Sequence, residues 1–410
     1  MFTQIHLAKW RQFEHVSLEL DSRMTVLTGE NGTGKTTILN ILSRHFGWNL
    51  KLISTPVALS KTRAKRFWSD VWGAMKDDLK VAPGSVEVGS IEYQNGQECK
   101  LMAPPQVEQA QYALTYQNQS NVLGIHIPSH GPSFTYQHID NIPTDPKTSQ
   151  QQYQQYQNLL QQLYSGGRAQ NPCGTLKQSL IAFAVFGYGN QAVVPNPEYK
   201  RMFEEFQDIL AILLPQKIGF RQLEIRMPDI VFKTDSGDFS LDAASGGIGA
   251  LVSLAWQIFM YGANQQSYVV TLDEPESHLH PSMQRELLPN LFRAFPNVQF
   301  IVATHSPFVA ASSPDAKVYA LVYNDEHRVT SQLIEAADLA GSANETLREI
   351  LGMPMSFPVW VEDRLMQIVK KYRNQPLTLE RLRDLKAELT SEGLDGFFPS
   401  AIDRLGSGDA

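Results

Sequence analysis

The spacing of apolar residues changes several times along the chain, and each change predicts an element. Residues 16–20 alternate with period two, the mark of a strand with one buried face. Residues 24–28 form a short, mostly apolar run suited to a strand buried on both faces. The run Gly29-Glu30-Asn31-Gly32-Thr33-Gly34 interrupts the pattern, and Ile38-Leu39-Asn40-Ile41-Leu42 resumes it at helical spacing. Strand, glycine-rich loop and helix in that order predict an α/β beginning.

The middle of the chain is less regular. Residues 85–101 predict a hairpin turning at Asn95-Gly96, a dipeptide that supplies the positive φ angles of a tight turn. Another strand is expected at 122–127. Glutamine crowds the stretch 150–162, yet Tyr153, Tyr156, Leu159, Leu160 and Leu163 keep a helical stripe, which predicts a surface helix rather than a disordered tract. Helices are expected at 176–186 and 198–214, then strands at 223–226 and 230–233. Beyond 240 come a helix at 248–261, a strand at 268–272, a helix opened by Pro281 and a strand at 299–303. That alternation suits a largely parallel sheet with helices on both faces. The expected organisation is a core built from 1–50 and 240–340, an inserted α+β lobe at 51–239, and a helical, charged extension at 341–410.

Composition narrows the class. A chain of 410 residues, 42% of them apolar, can bury the cores of two or three domains, which excludes disorder as the whole answer. Its 35 Lys and Arg against 42 Asp and Glu give a net charge of −7, so any contact with nucleic acid must be regional. The one basic cluster, Lys61-Thr62-Arg63-Ala64-Lys65-Arg66 followed by Phe67-Trp68, reads as a solvated helix face, with a phosphate backbone as its alternative ligand. Cys99 and Cys173 lack the spacing of metal ligands and read as reduced thiols. No leader is visible and no run reaches the roughly 18 apolar residues of a membrane span, so a cytoplasmic protein without a membrane partner is expected.

Four short motifs carry chemistry. Gly29-x-x-x-x-Gly34-Lys35-Thr36, followed by Thr37, is a complete phosphate loop placed between a buried strand and a helix. Its glycines let backbone N–H groups, those of Asn31 and Gly32 included, converge on phosphate oxygens, and the helix N-terminus favours the anion. Lys35 reaches the β and γ phosphates and the Thr36 hydroxyl holds Mg²⁺. In Tyr268-Val269-Val270-Thr271-Leu272-Asp273-Glu274 a strand ends in two carboxylates; Asp273 suits the magnesium shell and Glu274 suits the attacking water. Ser245-Gly246-Gly247 opens a helix 28 residues before Asp273 and forms a second anion site. One chain does not need two phosphate grips for one nucleotide, whereas two chains facing each other do. His305 follows a strand 32 residues after Asp273, where it suits a γ-phosphate sensor.

Together these residues resemble the ABC-type ATPases, in which two ATPs are sandwiched between two heads. The resemblance implies Walker A at Gly29–Thr37, a signature turn at Ser245-Gly246-Gly247, Walker B at Asp273-Glu274 and a switch histidine at His305. It implies a D-loop at Ser277-His278-Leu279-His280. The long separation between Walker A and signature, the opening Leu7-Ala8-Lys9-Trp10-Arg11-Gln12-Phe13 and the phrase from Asp273 to Pro281 are similar to the SMC, RecF and OLD branch, which also holds the ATPase subunits of anti-phage systems such as Septu. Arg11 matches an arginine that reaches the nucleotide in some members. Gln137 is the candidate for the Q-loop glutamine, a further ligand near the metal. Val359-Trp360-Val361-Glu362-Asp363 faintly resembles the glutamate strand of a TOPRIM nuclease, but no Asp-x-Asp strand follows, so a helix start is expected there.

The fold expected is therefore a P-loop NTPase head of the ABC type. The function expected is ATP hydrolysis by a homodimer or higher oligomer, controlling a separately encoded nuclease or other effector. A repair ATPase whose own surface binds DNA is the alternative, and a transporter's nucleotide-binding subunit a weaker one.

Overall fold

In a computed structural model, residues 1–49, 51–57, 66–72, 85–104, 106–107, 109–129, 131, 134–164, 171–335, 339, 359–372 and 378–407 are described. A sheet of eleven strands runs through the first of two units, Met1–Thr346. Its order is Thr115–Gln117, Glu98–Ala103, Val86–Tyr93, Phe2–Trp10, Phe13–Glu19, Val329–Ile334, Lys317–Tyr323, Met24–Gly29, Val298–Ala303, Tyr268–Asp273 and Gly124–Ile127. The last five run parallel to one another, and most pairs on the other side are antiparallel. In Met24–Gly29, Tyr268–Asp273 and Val298–Ala303 every residue is buried, which explains continuous apolar runs in place of alternation. The helix Lys35–Ser43 packs on the latter two strands.

The structure departs from the sequence reading at several places. Phe2–Trp10 is a strand that the reading passed over, as are Lys317–Tyr323 and Val329–Ile334. Four of the strands within 86–127, expected in a separate lobe, join the main sheet at its two edges, whereas Gln106–Val107 and Gln111–Tyr112 pair in small sheets with Arg66–Trp68 and Leu52–Ile53. Their physical reason is the open edge of Phe2–Trp10 and of Tyr268–Asp273, whose unpaired backbone groups they satisfy. Phe67 and Trp68 lie on a strand, Arg66–Trp68, paired with Thr55–Val57, and not on a helix; residues 61–65 lie outside the described residues.

Three helices stand off the sheet: Ser149–Tyr164, Pro172–Tyr188 and Pro197–Leu213. Asn171 and Asn196 cap the second and third, each followed by a proline at the first helical position, where its missing N–H costs nothing. The first and third pack on Gly246–Gly262, a helix so apolar that most of its residues are buried, and the second packs on both of them. Trp256 at its centre meets the rings of Phe206 at 5.4 Å and Phe183 at 6.0 Å.

Within the second unit, Leu347–Ala410, the helices Val359–Tyr372, Leu379–Ser391 and Phe398–Ser407 close over a core that includes Val361, Leu365, Leu385, Leu389 and Ala401. The stretch from Val359 to Asp363 opens a helix, as its lack of a following Asp-x-Asp strand suggests; residues 340–358 lie outside the described residues.

One buried ion cluster pins the helices to the chain just ahead of Ser245. Lys177, 1% exposed, donates to Asp229 at 2.6 Å, to Asp242 at 2.5 Å and to the Gln137 carbonyl at 2.9 Å. Burial opposes its charge, but the two carboxylates outweigh that cost and hold its pKa above the ordinary lysine value. Removing the ammonium leaves a buried Asp242 without its counter-ion. Lys177→Ala is expected to lower unfolding free energy by about 3 kcal/mol, read by urea denaturation; a loss within about 0.5 kcal/mol would mean that the cluster is not holding the fold.

Candidate active site

The phosphate loop begins where Met24–Gly29 leaves the sheet and ends at Gly34, whose φ of 99° caps the helix Lys35–Ser43. Glycine is required at Gly34 twice over. Its φ is left-handed, and a Cβ there would lie 2.4 Å from the Phe13 ring and 2.5 Å from Gln12 Nε2. Gln12 Nε2 also donates to the Gly32 carbonyl at 3.3 Å, so the turn after Phe2–Trp10 supports the loop. Asn31 and Gly32 are exposed at the loop tip, while Thr37 is half-buried in the first helical turn.

Lys35 is folded inward, 4% exposed, with Nζ donating to the carbonyls of Gly29 at 2.8 Å and Glu30 at 2.9 Å. Burial lowers its pKa to about 8 against the opposing pull of Glu274, Asp273, Glu276 and Glu30. Thr36 presents its hydroxyl to Asp273, donating to Oδ1 at 3.1 Å. A hydroxyl and a carboxylate side by side are hard oxygen donors, the set that Mg²⁺ accepts, so Thr36 and Asp273 fit that ion.

Glu274 leaves its strand with a φ of 47°, an uncommon angle for a non-glycine residue, and its N–H donates to the Ala303 carbonyl at 2.8 Å. Its Oε1 lies 2.9 Å from His305 Nε2. Burial and the nearby Lys35 lower the His305 pKa, while Glu274 raises it. Both side chains are about one-third exposed, open to a ligand at the sheet's edge.

Ser245 and Gly246 are exposed at the start of Gly246–Gly262, and the Ser245 hydroxyl makes no cap to its own helix. Gly247 is buried against the turn at 277–280: a Cβ there would lie 2.9 Å from the His278 carbonyl. Among the described residues no hydrogen bond joins Ser245, Gly246 or Gly247 to the phosphate loop, whereas Ala244 and Gly246 line a cavity together with Asp273 and Glu274. His280 has a local task, its Nδ1 accepting from the Ser282 N–H at 3.3 Å to cap the helix Pro281–Ala294.

One expected residue, Gln137, is not brought to this centre. Gln137 donates through Nε2 to Thr135 and through its N–H to Asp242 at 3.3 Å, and its side chain lies against Gly174. It belongs to the Lys177 cluster and not to the Thr36 and Asp273 pair, because the loop carrying it runs onto the helix Pro172–Tyr188. Arg11 sits at the turn beside the loop with a φ of 52°, its backbone tied to Asp70 and Trp72 and its guanidinium 5.9 Å from the Trp10 ring. Gln12, its neighbour, is the residue that touches the loop, and the sequence reading assigned it nothing. A polar residue at a short turn between two strands carries no signal of its own.

Comparison with known proteins adds the family context. Residues 4–163 match a family model described as an AAA domain, and residues 230–311 match one described as an AAA domain, putative AbiEii toxin, Type IV TA system. The chain is 30% identical over 179 residues to the Retron Ec83 probable ATPase of Escherichia coli, an alignment covering 41% of this chain and 31% of that one. It thus spans under a third of that relative. It is 19% identical over 399 residues to a Septu protein PtuA of Bacillus thuringiensis, covering 93% and 88% of the two chains. The SMC head domain from Thermotoga maritima superposes with a TM-score of 0.41 at 18% identity, over 82% of this chain and 99% of that one.

The buried Lys35 generates a pH prediction. In the free protein it loses its proton near pH 8, and a bound triphosphate raises its pKa, so binding takes up a proton above pH 8. The Kd for ATP, measured by calorimetry, is expected to rise by up to about tenfold per pH unit above 8 and to flatten below it. Lys35→Ala should bind more weakly and lose that slope; a wild-type Kd constant from pH 7 to 9 would mean that Lys35 takes up no proton on binding in that range, and an alanine variant binding as tightly as wild type would remove Lys35 from the phosphates.

Proposed function

We propose, for a chain that is an ABC-type ATPase head of the SMC and RecF-like branch, that it hydrolyses ATP between two copies of itself and so controls a separately encoded partner. One arrangement carries this reading. Phosphate loop, carboxylate pair and histidine converge at the ends of neighbouring parallel strands, while the exposed Ser245 turn, whose Gly246 shares a cavity with Asp273 and Glu274, makes no hydrogen bond to the phosphate loop among the described residues.

The reaction is phosphoryl transfer to water. Loop amides and Lys35 hold the triphosphate, and Lys35 gives up its carbonyl partners to do so. Thr36 and Asp273 hold Mg²⁺, which neutralises charge on the transferred group when bound. Glu274 orients and polarises the attacking water, and His305, held beside it, meets the γ-phosphate. Ser245, Gly246 and Gly247 of a second copy close the site from the opposite side, a uncapped hydroxyl and a helix N-terminus both suited to phosphate oxygens.

An isologous pair of this kind contains two equal sites. The setting supported by the relatives' names, a Septu protein and a retron ATPase, is bacterial anti-phage defence with the effector on another chain. Among the described residues no helix is long and apolar enough to cross a membrane.

Glu274→Gln is expected to keep ATP binding while turnover falls by about a hundredfold or more, with a dimer accumulating in light scattering. Hydrolysis at the wild-type rate would remove Glu274 from its role. The shared site has a separate test. Lys35→Ala and Ser245→Arg should each be inactive alone, yet mixing them creates pairs with one intact site, restoring roughly a quarter of wild-type phosphate release. No recovery on mixing, with both variants folded, would place each site within one chain.

A further inference from the structure

Glu276 stands on the turn between the strand Tyr268–Asp273 and the helix Pro281–Ala294, facing a second turn that leaves Val298–Ala303. Only 8% of it is exposed. Its Oε1 accepts from three groups of that second turn: the Thr304 hydroxyl, the His305 N–H at 3.1 Å and the Ser306 N–H at 3.3 Å. Its Oε2 is buried and accepts nothing among the described residues. Burial drives this carboxyl's pKa up and the three donors draw it back, so its charge is tolerated there only through them.

A second bridge joins the same two turns. Gln284 donates through Nε2 to the Leu279 carbonyl at 2.9 Å, and its Oε1 accepts from the Ser306 hydroxyl at 2.6 Å. The Ser306 hydroxyl in turn accepts from the Val309 N–H at 3.3 Å, capping Pro307–Ala310. Glu276 therefore fixes the backbone at His305 itself, and Gln284 fixes it one residue later.

A histidine half-open to solvent on a short turn has many available positions. For its Nε2 to lie 2.9 Å from Glu274, the turn that carries it must be held against the turn that carries Glu274. Besides the bond from the Glu274 N–H to the Ala303 carbonyl, the bonds from Glu276 are the link that reaches the His305 amide itself. A carboxylate is suited to this because one oxygen can take several N–H and O–H donors at once, each strengthened by the charge.

We infer that Glu276 is a positioning residue, fixing the His305 turn so that the imidazole meets Glu274 and the incoming γ-phosphate. The inference rests on the reading that Glu274 and His305 serve ATP hydrolysis. The bonds of its carboxylate go to the turn that carries the histidine, and it acts through that residue.

The test uses the full chain and two readouts. Steady-state hydrolysis gives kcat and KM, and hydrogen–deuterium exchange reads the His305 and Ser306 amides without reference to turnover. Glu276→Ala is expected to lower kcat at least about tenfold with KM for ATP within about twofold, and to speed exchange at both amides. Glu276→Asp, which keeps the charge but shortens the reach, should behave the same way. Glu276→Gln keeps an oxygen acceptor of the same length and should hold kcat within about threefold. Wild-type kcat and exchange in the alanine or aspartate variant would overturn the inference, as would a glutamine variant as impaired as alanine. A wild-type protein that hydrolyses no ATP would instead overturn the functional reading, and the exchange data would then decide the lock alone.

Discussion

Everything at the candidate site depends on one stretch of strand pairing. Val298–Ala303 lies between Met24–Gly29 and Tyr268–Asp273, parallel to both, with Ala303 opposite Leu27 on one side and Asp273 on the other. That register places the start of the phosphate loop, the carboxylate pair and the histidine turn at one edge of the sheet. Two bonds continue it beyond the strands: Glu274 N–H to Ala303 and Thr304 N–H to Leu27. A slip of one residue would reverse the side chains of a strand buried on both faces and carry Asp273 away from Thr36. The chemistry is thus a consequence of backbone geometry, and the apolar runs that fix the register stand far from any phosphate.

How much of this is legible in the sequence depends on whether a residue's task is local. The phosphate loop is legible because its glycines answer a local need: Gly29, Gly32 and Gly34 all have positive φ, which other residues adopt at a cost. Asp273 and Glu274 are legible because two charges directly after a fully apolar run have few uses. Phe2–Trp10 is not, because a register shift between Phe2 and Gln4 breaks the alternation that period-two reading needs. The strands at 86–127 look like a separate lobe because pairing partners 80 or more residues away leave no trace in local pattern. Gln137 illustrates the limit most sharply. In a chain crowded with glutamine, residue type carries no address, and only the Lys177 cluster reveals where that segment lies.

The placement of the Ser245 turn bears on what one chain can do alone. Its helix N-terminus is exposed, its hydroxyl caps nothing, and its glycines allow a ligand close approach. Such features cost stability and need a reason outside the fold. Yet the turn is not loose. Asp242, just ahead of it, is anchored by Lys177, and Gly247 is pressed against the His278 carbonyl. An open but rigid anion grip is what an interface with a second, triphosphate-loaded copy would use, since rigidity limits the entropy lost on closure.

The phrase from Asp273 to Pro281 then explains why so much function sits in so few residues. Asp273 meets Thr36, Glu274 meets His305, Glu276 holds the backbone under that histidine, His278 seats Gly247, and His280 caps the next helix. These contacts lead to four places, Glu274 and Glu276 sharing the His305 turn, so the turn is the common floor of the loop, the histidine and the outward-facing serine. Its positive φ values at Glu274 and His278 are strained conformations that only such over-determination can maintain. On the proposed reading, a nucleotide that moves Glu274 would act on a turn already bonded to Thr36 and His305 and packed against Gly247. That shared floor would couple the proposed hydrolysis to the proposed pairing without any long pathway through the protein.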